Sequence, residues 1–198
     1  MDESLYTQFV AKQASGRKEE AKVAIRRFVE SFNSLKEKED WTRKFLSTQR
    51  PGTALRHELY QEVIFPVLIA GYETRDPWSL YWLAETYRNL FSSSRLHKRF
   101  DLPPPQDLLK EAYALAPSSE EIRRGLLRSL LRGFEYMAHE WPTGLLYAPD
   151  SPWQTQYWEI RAEIQLAREL DTSGKYADEI AEFERIVAAD AERKKAGP

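Results

Sequence analysis

Apolar residues recur three and four positions apart along nearly the whole chain, and this spacing is the feature that most constrains its fold. It places apolar side chains on one side of an α-helix, whereas a half-buried strand alternates apolar and polar residues. The pattern is clearest in the stripe Ile122, Leu126, Leu127, Leu130, Phe134 and Met137. No segment of the sequence alternates convincingly at period two. The sequence therefore predicts an all-α protein.

Local signals predict where several helices begin. Asp76 followed by Pro77 is typical of a helix start, because the carboxylate accepts backbone N–H groups and proline has no N–H to leave unpaired there. Further starts are predicted at the capping boxes Ser34 with Glu37 and Ser118 with Glu121, at Ser151-Pro152, and at Thr53. A turn is predicted at Thr172-Ser173-Gly174. Together these signals indicate about nine helices in antiparallel hairpins, forming one all-helical domain over residues 1–198.

One predicted helix contains a proline. The stripe that follows Thr53 runs to Leu68 and includes Pro66. A proline inside a regular helix costs about 3 kcal/mol, because it lacks the N–H and its ring meets the preceding turn. We therefore expect a kink at Pro66 or two helices that meet end to end.

Composition excludes several classes of function. The 29 Lys and Arg against 31 Asp and Glu give a net charge of −2, so no overall positive field favours nucleic acid. The absence of cysteine excludes disulfides and thiolate nucleophiles and fits a reducing compartment. The longest apolar stretch, residues 63–72, is about half of the roughly 20 residues that a membrane-spanning helix needs. A cytoplasmic protein that has no membrane partner is expected.

Parts of the sequence resemble tetratricopeptide repeats. The positions that carry the resemblance are Leu80, Leu83, Ala84 and Tyr87, then Leu109, Ala112, Leu115 and Pro117, and later Leu166, Ala167, Leu170, Gly174, Tyr176, Phe183 and Ile186. The resemblance implies repeat-like hairpins at 76–138 and 154–193, while 34–74 does not match. About nine extra residues separate the two halves of the first hairpin. Two architectures stay open: a right-handed superhelix and an irregular helical bundle.

The resemblance also implies which side chains line a concave groove. These are Trp78, Tyr81, Arg88, Asn89, Arg124, Arg128, Arg132, Arg161 and Arg168. Arg124, Arg128 and Arg132 form an i, i+4, i+8 stripe on a helix in either architecture. Guanidinium groups bind carboxylates, so the expected partner is an acidic peptide or the C-terminus of another protein. The alternative is a solvated helix face with local ion pairs.

Two connections are longer than is usual between packed helices, at residues 91–106 and 139–153. Long loops often carry function, and Trp141 and Tyr147 are therefore candidate partner-binding residues. The alternative is that these aromatic side chains fold back over the core.

No catalytic residue, metal ligand or cofactor is predicted. His57 and His139 each precede a glutamate, but neither continues as the H-E-x-x-H motif of zinc enzymes. The expected function is that of a non-catalytic, bacterial protein-interaction module. The alternatives are an immunity or antitoxin-type helical protein, and a ligand- or metal-binding helical enzyme built on His57 and His139. A homodimer is a further alternative, because the apolar end of a helical repeat must be buried against another surface.

Overall fold

The structure is a computed structural model that describes residues 1–91, 100–139 and 152–196. Every regular element in these ranges is helical, which confirms the all-α prediction. The α-helices are α1 (Glu3–Ala14), α2 (Lys18–Glu30), α3 (Leu35–Leu46), α4 (His57–Leu59), α5 (Phe65–Glu73), α6 (Pro77–Glu85), α7 (Tyr87–Phe91), α8 (Pro105–Leu115), α9 (Glu120–His139), α10 (Trp153–Leu170) and α11 (Ala177–Ala196). In the described ranges, no helix combines the length and apolar character that a membrane-spanning segment requires.

The chain divides into two compact units, Met1–Ala116 and Pro117–Pro198. The boundary falls inside the segment 76–138, which the sequence assigned to one repeat-like hairpin. α8 belongs to the N-terminal unit and packs against α6. The single domain and the superhelix both stay predictions.

An aromatic cluster forms the core shared by α1, α2 and α3. Its members are Tyr6, Phe9, Phe28, Phe32, Trp41 and Phe45. The Tyr6 ring centroid lies 5.3 Å from that of Phe28 and 5.5 Å from that of Trp41. Helix α1, which the sequence analysis did not predict, thus supplies a ring that contacts both of the other two helices, whose Phe28 and Trp41 rings also contact each other with centroids 5.2 Å apart. Its start is capped by Asp2, whose side chain accepts the Ser4 N–H at 3.0 Å.

The predicted helix starts are partly confirmed. Asp76 caps α6 by accepting the Ser79 N–H at 3.1 Å, and Ser34 caps α3 by accepting the Glu37 N–H at 3.2 Å. In a capping box the Glu37 carboxylate would also accept the backbone N–H of Ser34. It accepts the N–H of the preceding residue, Asn33, at 3.0 Å instead. The turn at Thr172-Ser173-Gly174 is also present, with Gly174 at φ +68°.

Two predicted starts are wrong. The long helix begins at His57, while the Thr53 hydroxyl donates to Arg50 O at 2.6 Å and closes a turn. Helix α9 begins one residue later than predicted, because Ser119 rather than Ser118 accepts the backbone N–H at the helix start. At α10 the cap position is Pro152, and Ser151 lies outside the described residues.

Pro66 is accommodated by a π-helical turn at Tyr60–Ile64, which directly precedes α5. Proline has no N–H, so Glu62 O, four residues earlier, lacks its usual helical donor. Lys38 Nζ of α3 donates to Glu62 O at 2.7 Å and replaces that donor. π-helical turns allow an irregularity to be absorbed within a helix. The helical backbone conformation continues into α5, so the proline does not end the helix.

Helices α9, α10 and α11 are the described helices of the C-terminal unit, and each of them contacts the other two. The Phe134 and Phe183 rings stack between α9 and α11, with centroids 4.4 Å apart and planes at 11°. The turn before α11 is held by Asp171, whose carboxylate accepts the Tyr176 N–H at 2.7 Å. This arrangement positions the groove described below.

The contact between Lys38 and Glu62 O should depend on Pro66. Lys38→Met removes the donor, and we expect it to lower the free energy of unfolding by about 1 kcal/mol. In a Pro66→Ala background the same change should cost less, because the alanine N–H can donate to Glu62 O. Urea denaturation of the wild-type protein, the two single variants and the double variant gives the coupling energy between the two substitutions. Additive effects of the two substitutions would contradict this account of the π-helical turn.

Gly71 is required by the close approach of α5 and α6. A Cβ atom at Gly71 would lie 2.0 Å from Ser79 Oγ and 2.5 Å from Ser79 Cβ, and Ser79 is 1% exposed. We expect Gly71→Ala to destabilise the protein by about 1–3 kcal/mol, measured by chemical denaturation. In a Ser79→Gly background both of these side-chain atoms are absent, and Asp76 Oδ2, the third of the three nearest atoms, lies 3.4 Å from the added methyl group. The same substitution should then cost clearly less, and an equal cost in both backgrounds would refute the clash.

Candidate functional site

A groove with a volume of about 820 Å³ runs between α9 and α11 in the C-terminal unit. Its apolar lining consists of Leu131, Phe134, Ala138, Tyr176, Phe183 and Ile186. Phe134 and Phe183 are buried beneath the groove, whereas Leu131 and Ile186 are only half-buried. We call these six residues the floor. Packing within the unit therefore leaves part of an apolar surface open to solvent.

The positions of the floor residues follow from helix geometry. Leu131, Phe134 and Ala138 are spaced i, i+3, i+7 on α9, and Phe183 and Ile186 are spaced i, i+3 on α11. Residues at these spacings lie on one face of a helix. Two such faces meet at the aromatic stack, and the space beside the stack is the groove.

The α9 side of the groove carries Arg128, Arg132 and Glu135, which we call the α9 rim. Arg128 is half-buried, whereas Arg132 and Glu135 are exposed. Arg128 and Arg132 are four residues apart, so their guanidinium groups leave the helix on the same side. The predicted arginine stripe thus contributes two of its three members to this groove.

The α11 side carries Asp178, Glu179, Glu182 and Arg185, which we call the α11 rim. All four side chains are exposed, and Arg185 forms an ion pair with Glu182 on the same helix. Arginines therefore dominate one rim and carboxylates the other. The prediction of an arginine-lined groove did not include these acids, and the groove as a whole carries both signs of charge.

Arg124, the third member of the stripe, does not line the groove. Its Nε pairs with Glu120 Oε1 at 2.7 Å, one helical turn earlier. Hydrogen bonding from Arg123 and the nearby charges of Arg123 and Arg124 hold the pKa of Glu120 below its ordinary value. For Arg124 the structure thus shows the local ion pair that the sequence analysis gave as the alternative.

Arg161 and Arg168 have internal partners as well. Both guanidinium groups of α10 pair with the Glu184 carboxylate of α11. The hydrogen bond from Arg168, together with the charges of both arginines, holds the pKa of Glu184 below its ordinary value. In the structure these residues form a contact between two helices of the same unit, and their predicted role in binding a partner stays a prediction.

The candidates in the N-terminal unit differ in burial. Tyr81 is 1% exposed and Asn89 is 9% exposed, so both side chains belong to the interior. Asn89 Oδ1 accepts the Leu55 N–H at 2.9 Å and holds the segment before α4. Trp78 is half-buried, and the Arg43 guanidinium carbon lies 4.3 Å from its ring centroid.

The remaining candidates divide into two groups. Arg88 is exposed on α7, whereas Trp141 and Tyr147 lie outside the described residues. Of the nine predicted groove residues, all of which the structure describes, only Arg128 and Arg132 line the groove between α9 and α11.

The two histidines of the alternative enzyme belong to different units. His57 lines a cavity of about 470 Å³ in the N-terminal unit, near Glu30, Glu58 and Glu62. His139 is the last residue of α9. Within the described ranges, no three His, Asp or Glu side chains are grouped so that they could hold a metal ion.

Sequence reasoning missed the acids of the α11 rim and the half-buried floor residues. A signal for them was present in the width of the apolar stripe that begins just before α11 and consists of Tyr176, Ile180, Phe183, Ile186 and Val187. A stripe this wide contacts more than one neighbouring element. Asp178, Glu179 and Glu182 flank it and mark the rim.

Comparisons of this sequence with protein-family models, with curated proteins and with solved structures found no match.

The ion pairs of Glu184 should make the stability of the protein depend on pH. The folded-state pKa of Glu184 is lowered, so its contribution is present above the unfolded value of about 4.5 and is lost as pH falls through the folded value. Glu184→Gln removes this contribution. We expect the wild-type protein to be more stable than this variant at neutral pH, with the difference shrinking below about pH 4.5. Thermal unfolding from pH 3 to 7 tests this, and a difference that does not vary with pH would contradict it.

Proposed function

We propose that this protein is a non-catalytic protein–protein interaction module that binds a segment of its partner in the groove between α9 and α11. The observation that carries the proposal is the half-buried floor, where Leu131 and Ile186 meet solvent between two charged rims. Apolar surface of this kind, surrounded by charged residues, marks protein-binding sites. We further propose a bacterial cytoplasmic location, which is supported by the absence of cysteine.

The composition of the groove favours a protein partner over nucleic acid. Among the described residues, four carboxylates line it beside three arginines, and carboxylates repel a phosphate backbone. The net charge of −2 supplies no compensating attraction. The described part of the lining contains no His, Ser, Thr or Lys, so it lacks the residue types that most often supply a nucleophile paired with a base. Binding is the function that this lining supports.

The resemblance to tetratricopeptide repeats adds to the proposal. Proteins of that family bind peptides in grooves formed by helices, and in some members Lys, Arg and Asn side chains hold a C-terminal carboxylate. In this protein the acids of the α11 rim stand opposite Arg128 and Arg132. A purely acidic segment therefore suits one rim and is repelled by the other.

The floor supplies the test of this function. The double variant Leu131→Ala and Ile186→Ala shortens the two half-buried floor residues. The control variant, Tyr136→Ala and Trp158→Ala, removes apolar side chains of the same unit that are 64% and 67% exposed and do not line the groove. Each tagged protein is used to capture partners from the source cells, and its folding is checked by circular dichroism.

We expect the floor variant to lose specific partners that the wild-type and control proteins retain. Binding of a purified partner should weaken by at least about tenfold, because each truncated apolar contact contributes about 1 kcal/mol or more. Equal capture and affinity for the folded floor variant would show that the groove is not the binding site.

A further inference from the structure

We propose that the groove between α9 and α11 takes a single amphipathic α-helix of the partner, whose acidic edge faces the α9 rim and whose basic edge faces the α11 rim. This inference rests on the proposed function and specifies the chemistry of the segment that binds. Three observations carry it: the length of the groove, its place in the unit and the separation of charge between its rims.

The length and width of the groove suit one helix. Its lining on α9 extends from Arg128 to Ala138, which spans about 15 Å at a rise of 1.5 Å per residue, or about three helical turns. Packed helices lie about 8–10 Å apart, so the groove between two of them receives the side chains of a third. An apolar stripe with i, i+3, i+4, i+7 spacing matches the floor.

The place of the groove in the unit agrees with this interpretation. Helix α10, which the structure describes in full, contacts both α9 and α11, yet none of its residues lines the groove. The groove therefore lies on the side of the α9–α11 pair that faces away from α10. A helix bound there would pack on α9 and α11 as α10 does, with its apolar face over the floor.

A second copy of this protein is a poorer occupant. Each protomer of a stable dimer contributes about 800 Å² of surface. A groove about 15 Å long and about one helix diameter, 10 Å, in width provides much less than this. The dimensions favour a single helix over a broad face of another protomer.

Charge separation determines the edges of the bound helix. The α9 rim has a net charge of +1, from two arginines and Glu135, and the α11 rim has a net charge of −2, from three carboxylates and Arg185. A helix with acids on both edges gains at the first rim and loses at the second, and a helix with lysines on both edges does the reverse. Only a helix with one acidic and one basic edge is attracted by both rims. Because reversing a helix exchanges its edges, this pattern also determines the direction in which the helix binds.

Three synthetic peptides test the proposal with the full-length protein. Each is a helix of about 18 residues, or five turns, with the same apolar stripe. The first has Glu along one edge and Lys along the other, the second has Glu on both edges, and the third has Lys on both. Their affinities are measured by fluorescence anisotropy at low ionic strength, where exposed charges are least screened. We expect the mixed peptide to bind about tenfold more tightly than either of the others, because exposed ion pairs each change affinity a few-fold.

A pair of protein variants assigns the preference to the rim. Arg128→Glu with Arg132→Glu makes the α9 rim acidic, and we expect the peptide with Lys on both edges to become the tightest binder. Arg124→Glu changes the same type of charge on the same helix outside the groove. This control should leave the order of the three affinities unchanged. A shift of similar size in the control would overturn the assignment to the rim.

Several results would overturn the proposal. Tightest binding of the peptide with Glu on both edges would favour the acidic partner that the sequence predicted. Failure of all three peptides to bind, together with a dimer in sedimentation that the floor variant abolishes, would show a second copy in the groove. Loss of natural partners by the floor variant, with equal binding of the three peptides, would retain the proposed function and refute the charged-edge helix.

Discussion

The stacked rings of Phe134 and Phe183 are the contact on which the candidate site depends. With centroids 4.4 Å apart and nearly parallel planes, they set the separation of α9 and α11 at one point along both helices. The side chains beside the stack do not fill the space that this separation creates, and one of them, Ala138, carries only a methyl group. The groove therefore lies beside one large aromatic contact, in space that the described side chains around it leave unfilled.

Features of the fold could be predicted where the interacting residues are close in the sequence. Asp76 and Ser34 cap their helices as predicted, because the donor and acceptor lie three residues apart. At Pro66 the sequence indicated an irregularity but not its form. A carbonyl of the π-helical turn there accepts a hydrogen bond from Lys38, which is 24 residues away in the sequence. Contacts between distant segments cannot be inferred from the spacing of residues within one helix.

The same distinction explains the outcome for the site. The stripe of arginines on α9 was visible because its spacing belongs to a single helix. The surroundings of each arginine depend on the helix opposite. Arg161 and Arg168 form ion pairs with Glu184, whereas Arg128 and Arg132 line the groove. The resemblance to tetratricopeptide repeats implied one role for all of these arginines, because it assigned them to a groove without reference to the side chains opposite them. Packing separated residues that the pattern had treated alike.

Under the proposed function, the two parts of the groove contribute differently to binding. The floor is apolar, so burying it stabilises a complex by an amount that depends little on ionic strength. The rims are mostly exposed, so their ion pairs are weak and are screened by salt, yet they discriminate between partners and orient them. The net charge of −2 does not reveal the two rims, because it adds together positive and negative charges that lie on opposite sides of the groove. In a groove of this kind the floor supplies affinity, and the arrangement of charge around it selects the partner.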